Sequence, residues 1–162
     1  MLNSYNTFES GLMNKAIYYK YIFIINGLGY ILCAIIFGIL APTSPKFLPF
    51  WGFQEAETLK SSGGLFWIFS YLILVGMYGF MYVLVGLDIT KNHLVISSGM
   101  IMKAAYFIIW LIFYFLGVCK WEFLVVGGID LIFMALFIEF FVNYGKLDRD
   151  DIVKAYPYKK DN

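Results

Sequence analysis

Charged residues are scarce in this sequence. They make up 14% of the 162 residues, whereas 61% are hydrophobic and the mean hydropathy is +0.75. Soluble domains average about 25% charged and roughly 45–50% apolar residues, so both values depart in the direction of a protein that folds in lipid. The net charge is only +1, which gives no field that would attract nucleic acid or an acidic substrate.

Side chains that bind metals or exchange thiols are also nearly missing. The chain has one histidine, His93, and two cysteines, Cys33 and Cys119, with no CxxC pair. These residues are too few for a structural zinc site, and they argue against haem, copper or di-iron chemistry. We expect the cysteines to be free thiols, because an apolar span treats free cysteine as a small hydrophobic residue.

Common catalytic motifs are absent as well. The sequence contains no GxSxG, no HExxH, no phosphate-binding loop and no Rossmann glycine pattern. No nucleophile is visibly paired with a base. We therefore expect no catalytic residue, metal or cofactor, and we favour a protein that is not an enzyme.

The sequence is dominated by long apolar runs. Four of them have the length of membrane spans, at about residues 17–41, 65–87, 100–119 and 123–144. They predict an all-α fold, a four-transmembrane-helix antiparallel bundle over residues 1–144, followed by a polar cytoplasmic tail at 145–162. The short apolar segment 47–53 predicts an interfacial or re-entrant piece in the first loop.

The basic residues divide unevenly between the two ends of this predicted bundle. One end has Lys15, Lys20, Lys91, Lys103 and the five cations of the tail, and the other has Lys46, Lys60 and Lys120. Because short cytoplasmic loops are enriched in lysine and arginine, both termini are predicted to be cytoplasmic. A multi-pass protein of a bacterial plasma membrane is the favoured localisation, and an organellar inner membrane is the alternative.

Two carboxylates, Asp130 and Glu139, fall inside the fourth apolar run. An ionisable group within a span is costly, so each should face protein or a wet cavity. With the spans given above and 1.5 Å per residue, Lys103 lies about 5 Å and Glu139 about 8 Å from the same end of the bundle. We therefore predict an intramembrane ion pair between Lys103 and Glu139.

Asp130 lies nine residues from Glu139, which places it on the opposite face of the helix. It is expected to accept hydrogen bonds from Tyr30, Tyr71 or Tyr114, or to bind a proton or cation during transport. A structural and a functional role for this buried acid are both open at this point.

Three short patterns carry a resemblance to a known group of proteins: Gly86-Leu-Asp88, Gly99-Met-Ile-Met-Lys103 and Asp130-Leu-Ile-Phe133. Over about residues 65–142 the chain resembles small four-helix integral membrane proteins of bacteria that have no established activity. In those proteins the second span ends at an acid, the third opens with glycine and lysine, and the fourth holds an aspartate. The resemblance implies a four-helix membrane fold and no particular activity.

Three functions fit these patterns, of which the first is the favoured one and the third the least favoured. The first is an accessory or scaffold subunit of a membrane complex or homo-oligomer, whose partners are membrane lipids and another membrane protein or copy, with no nucleic acid. The second is a small ion- or proton-coupled transporter or channel that uses Asp130, and the third is a lipid-binding or lipid-modifying protein that uses segment 47–53. A water-accessible cavity at Asp130 would favour transport, whereas a dry bundle with outward glycine faces would favour the subunit.

Overall fold

The computed structural model describes residues 14–44, 61–118 and 120–159. Regular structure in these residues is helical, with no strand. The elements are α1 (Lys15–Thr43), α2 (Ser62–Leu87), α3 (His93–Phe115), α4 (Glu122–Tyr144), α5 (Arg149–Ala155) and a 3₁₀ turn (Pro157–Lys159). The predicted interfacial segment 47–53 and the side chain of Cys119 lie outside the described residues.

The first four helices are each long and apolar enough to cross a membrane. The shortest two have 23 residues, which at 1.5 Å per residue gives about 35 Å. The hydrocarbon core of a bilayer is about 30 Å thick. The prediction of an all-helical chain with four apolar spans is confirmed, and these helices are compatible with a multi-pass membrane protein.

Helix α3 begins at His93, seven residues before the predicted start of the third span. The residue before it, Asn92, has a left-handed backbone with φ of 62°, which ends the connection from α2 and turns the chain into α3. Ser97 and Ser98 lie inside the helix, where their hydroxyls donate to the carbonyls of His93 and Val95. The connection between α2 and α3 is therefore only residues 88–92.

Glycines bring α1 and α2 into backbone contact. A Cβ placed on Gly27 would lie 2.5 Å from the carbonyl oxygen of Gly79, and one on Gly86 would lie 2.9 Å from that of Lys20. Only residues without a side chain allow helices to approach this closely. The glycine face of α2 is thus used inside the protein, against α1.

A glycine also lets α3 and α4 approach, because a Cβ on Gly127 would lie 2.9 Å from the rings of Phe107 and Trp110. An aromatic core then joins this helix pair to α1 and α2. Phe23 of α1 lies 4.8 Å from Phe137 and 5.2 Å from Phe140 of α4, between ring centroids. This core lies toward the end of the helices at which α1 begins and α4 ends, called the tail end below.

The residues after α4 fold back onto the tail end. The sequence predicted a polar tail exposed to water, yet Tyr156 is 1% exposed and Ala155 is 4% exposed. The Tyr156 hydroxyl donates to the carbonyl of Gly86 at 2.8 Å and accepts from the amide of Ile89 at 3.3 Å. These two bonds fix the tail against the end of α2.

Charged contacts add to this docking. Lys159 Nζ lies 2.6 Å from Asp88 Oδ1, and Lys20 Nζ donates to the carbonyl of Ala155 at 3.1 Å. Burial raises the pKa of Asp88, but hydrogen bonds from Lys159 and Thr90 outweigh it, so this pKa lies below its usual value. The pair therefore stabilises the docked tail above the usual aspartate pKa, and this contribution is lost as the pH falls through the lowered one.

The close approach of α1 and α2 gives a matched test on one helix. Gly27→Ala forces a methyl group against the backbone of α2, so it should lower the free energy of unfolding by about 1–3 kcal/mol. Gly29→Ala is the control, because its Cβ would meet nothing within 4 Å, and its effect should stay within about 0.5 kcal/mol. Equilibrium unfolding in mixed micelles measures both, and equal effects would contradict the described contact.

Candidate functional site

Lys103 is a cation buried in the middle of the helices. It lies ten residues after the start of α3, or about 15 Å along the helix, and it is 2% exposed. Its Nζ is 2.6 Å from Oδ1 of Asp130 on α4. Asp130 lies eight residues after the start of α4, so both charges sit well inside apolar helices.

Helix α1 supplies two polar side chains to this ion pair. Lys103 Nζ donates to the Tyr30 hydroxyl at 2.6 Å, and that hydroxyl in turn donates to Asp130 Oδ1. One turn earlier, Asn26 is 3% exposed and its Oδ1 lies 3.5 Å from Lys103 Nζ. The Nδ2 atom of Asn26 has no hydrogen-bond partner among the described residues.

Aromatic rings surround the ammonium group. The distance from Lys103 Nζ to the ring centroid is 4.4 Å for Tyr30, 5.6 Å for Tyr82, 5.7 Å for Phe133 and 5.8 Å for Phe137. Rings within about 6 Å attract a cation through their negative faces. All four long helices therefore contribute to the site, which stabilises a positive charge that has lost its water.

The position of Tyr82 depends on Gly99, one turn before Lys103 on α3. A Cβ on Gly99 would lie 1.9 Å from the Tyr82 hydroxyl oxygen. Any larger residue at this position would displace the ring of Tyr82 from its place beside the ammonium group. Gly99 is thus a structural requirement of the site.

A small cavity of about 30 Å³ adjoins the ion pair. Its lining includes Lys103, Asp130 and five tyrosines, Tyr30, Tyr71, Tyr78, Tyr82 and Tyr106. Since about 10–15 Å³ of such space holds one water, it has room for one or two water molecules. The hydrogen bonds to Asp130 both use Oδ1, and its Oδ2 has no partner among the described residues.

The structure pairs Lys103 with Asp130 in place of the predicted Glu139. Glu139 is exposed, and one of its carboxylate oxygens accepts a hydrogen bond from Tyr19 at 3.2 Å. The reason is the early start of α3: Lys103 lies about 15 Å into its helix, where the predicted boundary placed it at about 5 Å. The predicted Lys103–Glu139 ion pair is therefore corrected to Lys103–Asp130.

The three tyrosines proposed as partners of Asp130 have different positions. Tyr30 is hydrogen-bonded to it, and Tyr71 lines the adjoining cavity. Tyr114 lies away from the site and is 39% exposed, and its ring makes an edge-to-face contact with that of Phe115, with 5.6 Å between the centroids. Only the first of the three is in contact with the acid.

The sequence predicted an ion pair for Lys103, but not that this residue lies at the depth of Asp130. A signal was present, because Gly99 and Lys103 are four residues apart and share one helix face. A small residue on that face indicates that another helix packs closely against it, so a lysine on the same face would contact that helix as well. Phe133 and Phe137 gave no such signal, since aromatic residues occur on every face of these spans.

Chemically, the site is an ammonium–carboxylate pair with a phenol bonded to both groups. Such a pair can exchange a proton with water in the cavity. Among the described residues no group of three or more histidine, cysteine or acidic side chains could hold a metal ion. Comparison of the chain with protein-family models, curated proteins and solved structures gives no match.

The corrected pairing predicts a specific pattern of energetic coupling. Lys103→Met leaves the partly buried Asp130 without its counter-ion, so it should lower the free energy of unfolding by up to about 3–5 kcal/mol. Combining it with Asp130→Asn should cost less than the sum of the two single changes. Combining it with Glu139→Gln should be additive.

A double-mutant cycle on unfolding in micelles measures both couplings. Coupling of Lys103 to Glu139, with none to Asp130, would contradict the structure. The Glu139→Gln cycle is the matched control, because it removes a second carboxylate from the same helix.

Proposed function

We propose that the protein is a small proton-coupled transporter or channel in which the Lys103–Asp130 pair is the proton-exchange site. The observation that carries the proposal is the 2.6 Å contact between these two charges at the edge of a cavity. Ionisable groups inside a membrane span are costly to keep and are characteristic of proton and ion pathways. The fold within this proposal is an antiparallel four-span bundle.

Two features favour transport over the subunit function. The cavity reaches Asp130 and has room for water, which is the condition for proton exchange. The glycines of α2 that could have formed an outward contact face are used against α1. A cavity at Asp130 is expected of a transporter, and an outward glycine face is expected of a subunit, so these two features distinguish the two functions.

A proton fits the site better than a metal cation. A metal cation needs several oxygen ligands, whereas a proton needs one, and Asp130 is the only carboxylate among the described residues that line the cavity. A proton that binds the Asp130 carboxylate instead removes the negative charge that attracts Lys103. The bond that joins α3 to α4 and α1 is thereby weakened, so proton binding and helix packing are coupled.

The proposed membrane is the bacterial plasma membrane, with both termini on the cytoplasmic side. Support comes from the excess of lysine and arginine at the tail end. In this orientation the docked tail lies on the cytoplasmic face, and the five-residue connection between α2 and α3 is also cytoplasmic.

Proton flux into liposomes tests the proposal. Purified protein is reconstituted around a pH-sensitive dye, and a pH gradient is imposed. Asp130→Asn should reduce flux to the level of protein-free liposomes, because it removes the acceptor of the proton while keeping the shape of the side chain. Glu139→Gln should leave flux unchanged, because Glu139 is an exposed carboxylate on the same helix.

Wild-type protein that conducts no more than empty liposomes, or an Asp130→Asn variant that conducts normally, would overturn the transport function. Size-exclusion profiles of all three proteins in detergent ensure that a loss of flux is not a loss of folding.

The second candidate function is an accessory or scaffold subunit, either in a membrane complex or as a homo-oligomer. One observation favours it: Lys103 is fully engaged by Asp130, Tyr30 and Asn26, as expected of a structural lock between helices. Native mass spectrometry after mild detergent extraction tests it. A defined complex larger than the monomer would support this function, and a monomer without a partner would contradict it.

A further inference from the structure

Packing around the ion pair is uneven along the helices. Among the described residues, all buried hydrophobic side chains except Ala41 and Leu72 belong to a single cluster. That cluster lies between the ion pair and the tail end. The cavity lies on the other side, where α2 contributes Tyr71 and α3 contributes Tyr106.

Aromatic contacts lead without interruption from the ion pair toward the tail end. Phe137 lies 5.8 Å from Lys103 Nζ, and its ring centroid is 5.2 Å from that of Tyr82 and 4.8 Å from that of Phe23. Phe140, one turn further along α4, is 5.2 Å from Phe23. These rings form a continuous apolar layer on the tail side of the pair.

The last layer of this cluster comes from the C-terminal segment, residues 149–159, which we call the strap. Tyr156 belongs to the cluster and is bonded to the backbone of both Gly86 and Ile89. Lys159 pairs with Asp88 in the connection that leads to α3. The strap thus ties the end of α2 to the connection before α3.

A second set of contacts ties the strap to α1. The side-chain amide of Asn14 donates to the backbone carbonyl and to the carboxylate of Asp151, both at 3.1 Å. Lys20 donates to the carbonyl of Ala155 and lies 5.0 Å from the ring centroid of Tyr156. The strap therefore crosses the tail end and contacts both helices of the first pair.

We infer that the strap is the gate on the tail side of the Lys103–Asp130 pair, and that its release opens this side to water. This inference rests on the proposed function, since a transport site needs access from each side of the membrane in turn. The strap suits this role because α5 has only seven residues. A helix this short is not stable by itself, so its position depends on its contacts with the other helices, which are the burial of Tyr156 and the polar bonds described above.

The test measures water access at Val85, a fully buried residue of α2 beside the strap. Val85→Cys is made in a chain that carries Cys33→Ala and Cys119→Ala, and the protein is placed in nanodiscs that expose both faces. The rate of reaction with a water-soluble maleimide is then measured. With the strap intact, the reaction should be slow.

Release of the strap should raise this rate. Lys159→Met removes the charged hydrogen bond to Asp88, and Tyr156→Phe removes the bonds to Gly86 and Ile89. Each should increase the rate at least about tenfold, the effect expected for loss of one charge-assisted hydrogen bond in Lys159→Met and of two neutral hydrogen bonds in Tyr156→Phe. Lys159→Arg keeps the charge, and Tyr158→Phe removes a hydroxyl that bonds only the exposed end of α2, so both should leave the rate low.

Equal rates in the Lys159→Met, Tyr156→Phe and parent proteins would overturn the inference. So would an increase in Tyr158→Phe as large as that in Tyr156→Phe. Leu72→Cys in the same cysteine-free chain, at an 8% exposed position of α2 outside the buried cluster, reports general loosening, and its reactivity should be the same in every variant.

The labelling result is independent of flux. If the strap variants accelerate labelling but no variant affects proton flux, the strap controls access of water to the tail end and the transport function fails. If Asp130→Asn abolishes flux but labelling never changes, the transport function stands and the strap is not its gate.

Discussion

The fold depends on how one buried positive charge is compensated. Lys103 has lost almost all of its water, and the removal of an ammonium ion from water costs several kcal/mol even in a protein that relaxes around it. That cost is offset by Asp130, Tyr30 and the rings of Tyr82 and Phe137. Because these groups come from the three other long helices, the charge on α3 is accommodated only when all four helices are assembled together.

Packing supports this arrangement on the tail side. Glycines allow α1 to lie directly against α2, and Gly99 makes room for Tyr82 against α3. The aromatic cluster fills the space between the ion pair and the tail end, and the strap covers this cluster. On the other side of the pair a cavity lined by tyrosines remains, so the site has one closed and one partly open side. This asymmetry is what connects the fold to a proposed transport function.

The lengths of the apolar runs were enough to predict the four long helices, because a run of about 20 apolar residues has the length of a membrane-spanning helix. It was not enough to place the start of α3. The first turns of that helix, from His93 to Ser98, are polar enough to look like a loop, and only the left-handed Asn92 marks the true boundary. That error changed the predicted depth of Lys103 by about 10 Å, and so assigned it the wrong acid.

The docked tail was beyond the reach of sequence patterns for a different reason. Residues 145–159 are polar in composition, and charged residues usually face water. Their position is set by a few specific bonds, such as that of Tyr156 to Gly86, which no periodicity encodes. The importance of Asp130 was predictable from the sequence, because a carboxylate inside an apolar span is rare and costly. Its partner was not, since pairing depends on the relative depth and rotation of two helices.

The most direct test of this account is the distance between the Lys103 ammonium nitrogen and the carboxylate carbon of Asp130, measured by solid-state NMR dipolar recoupling in lipid bilayers. The structure predicts strong coupling between these two nuclei, which disappears in Asp130→Asn. Coupling of Lys103 to the carboxylate carbon of Glu139, or to no carboxylate carbon, would contradict it.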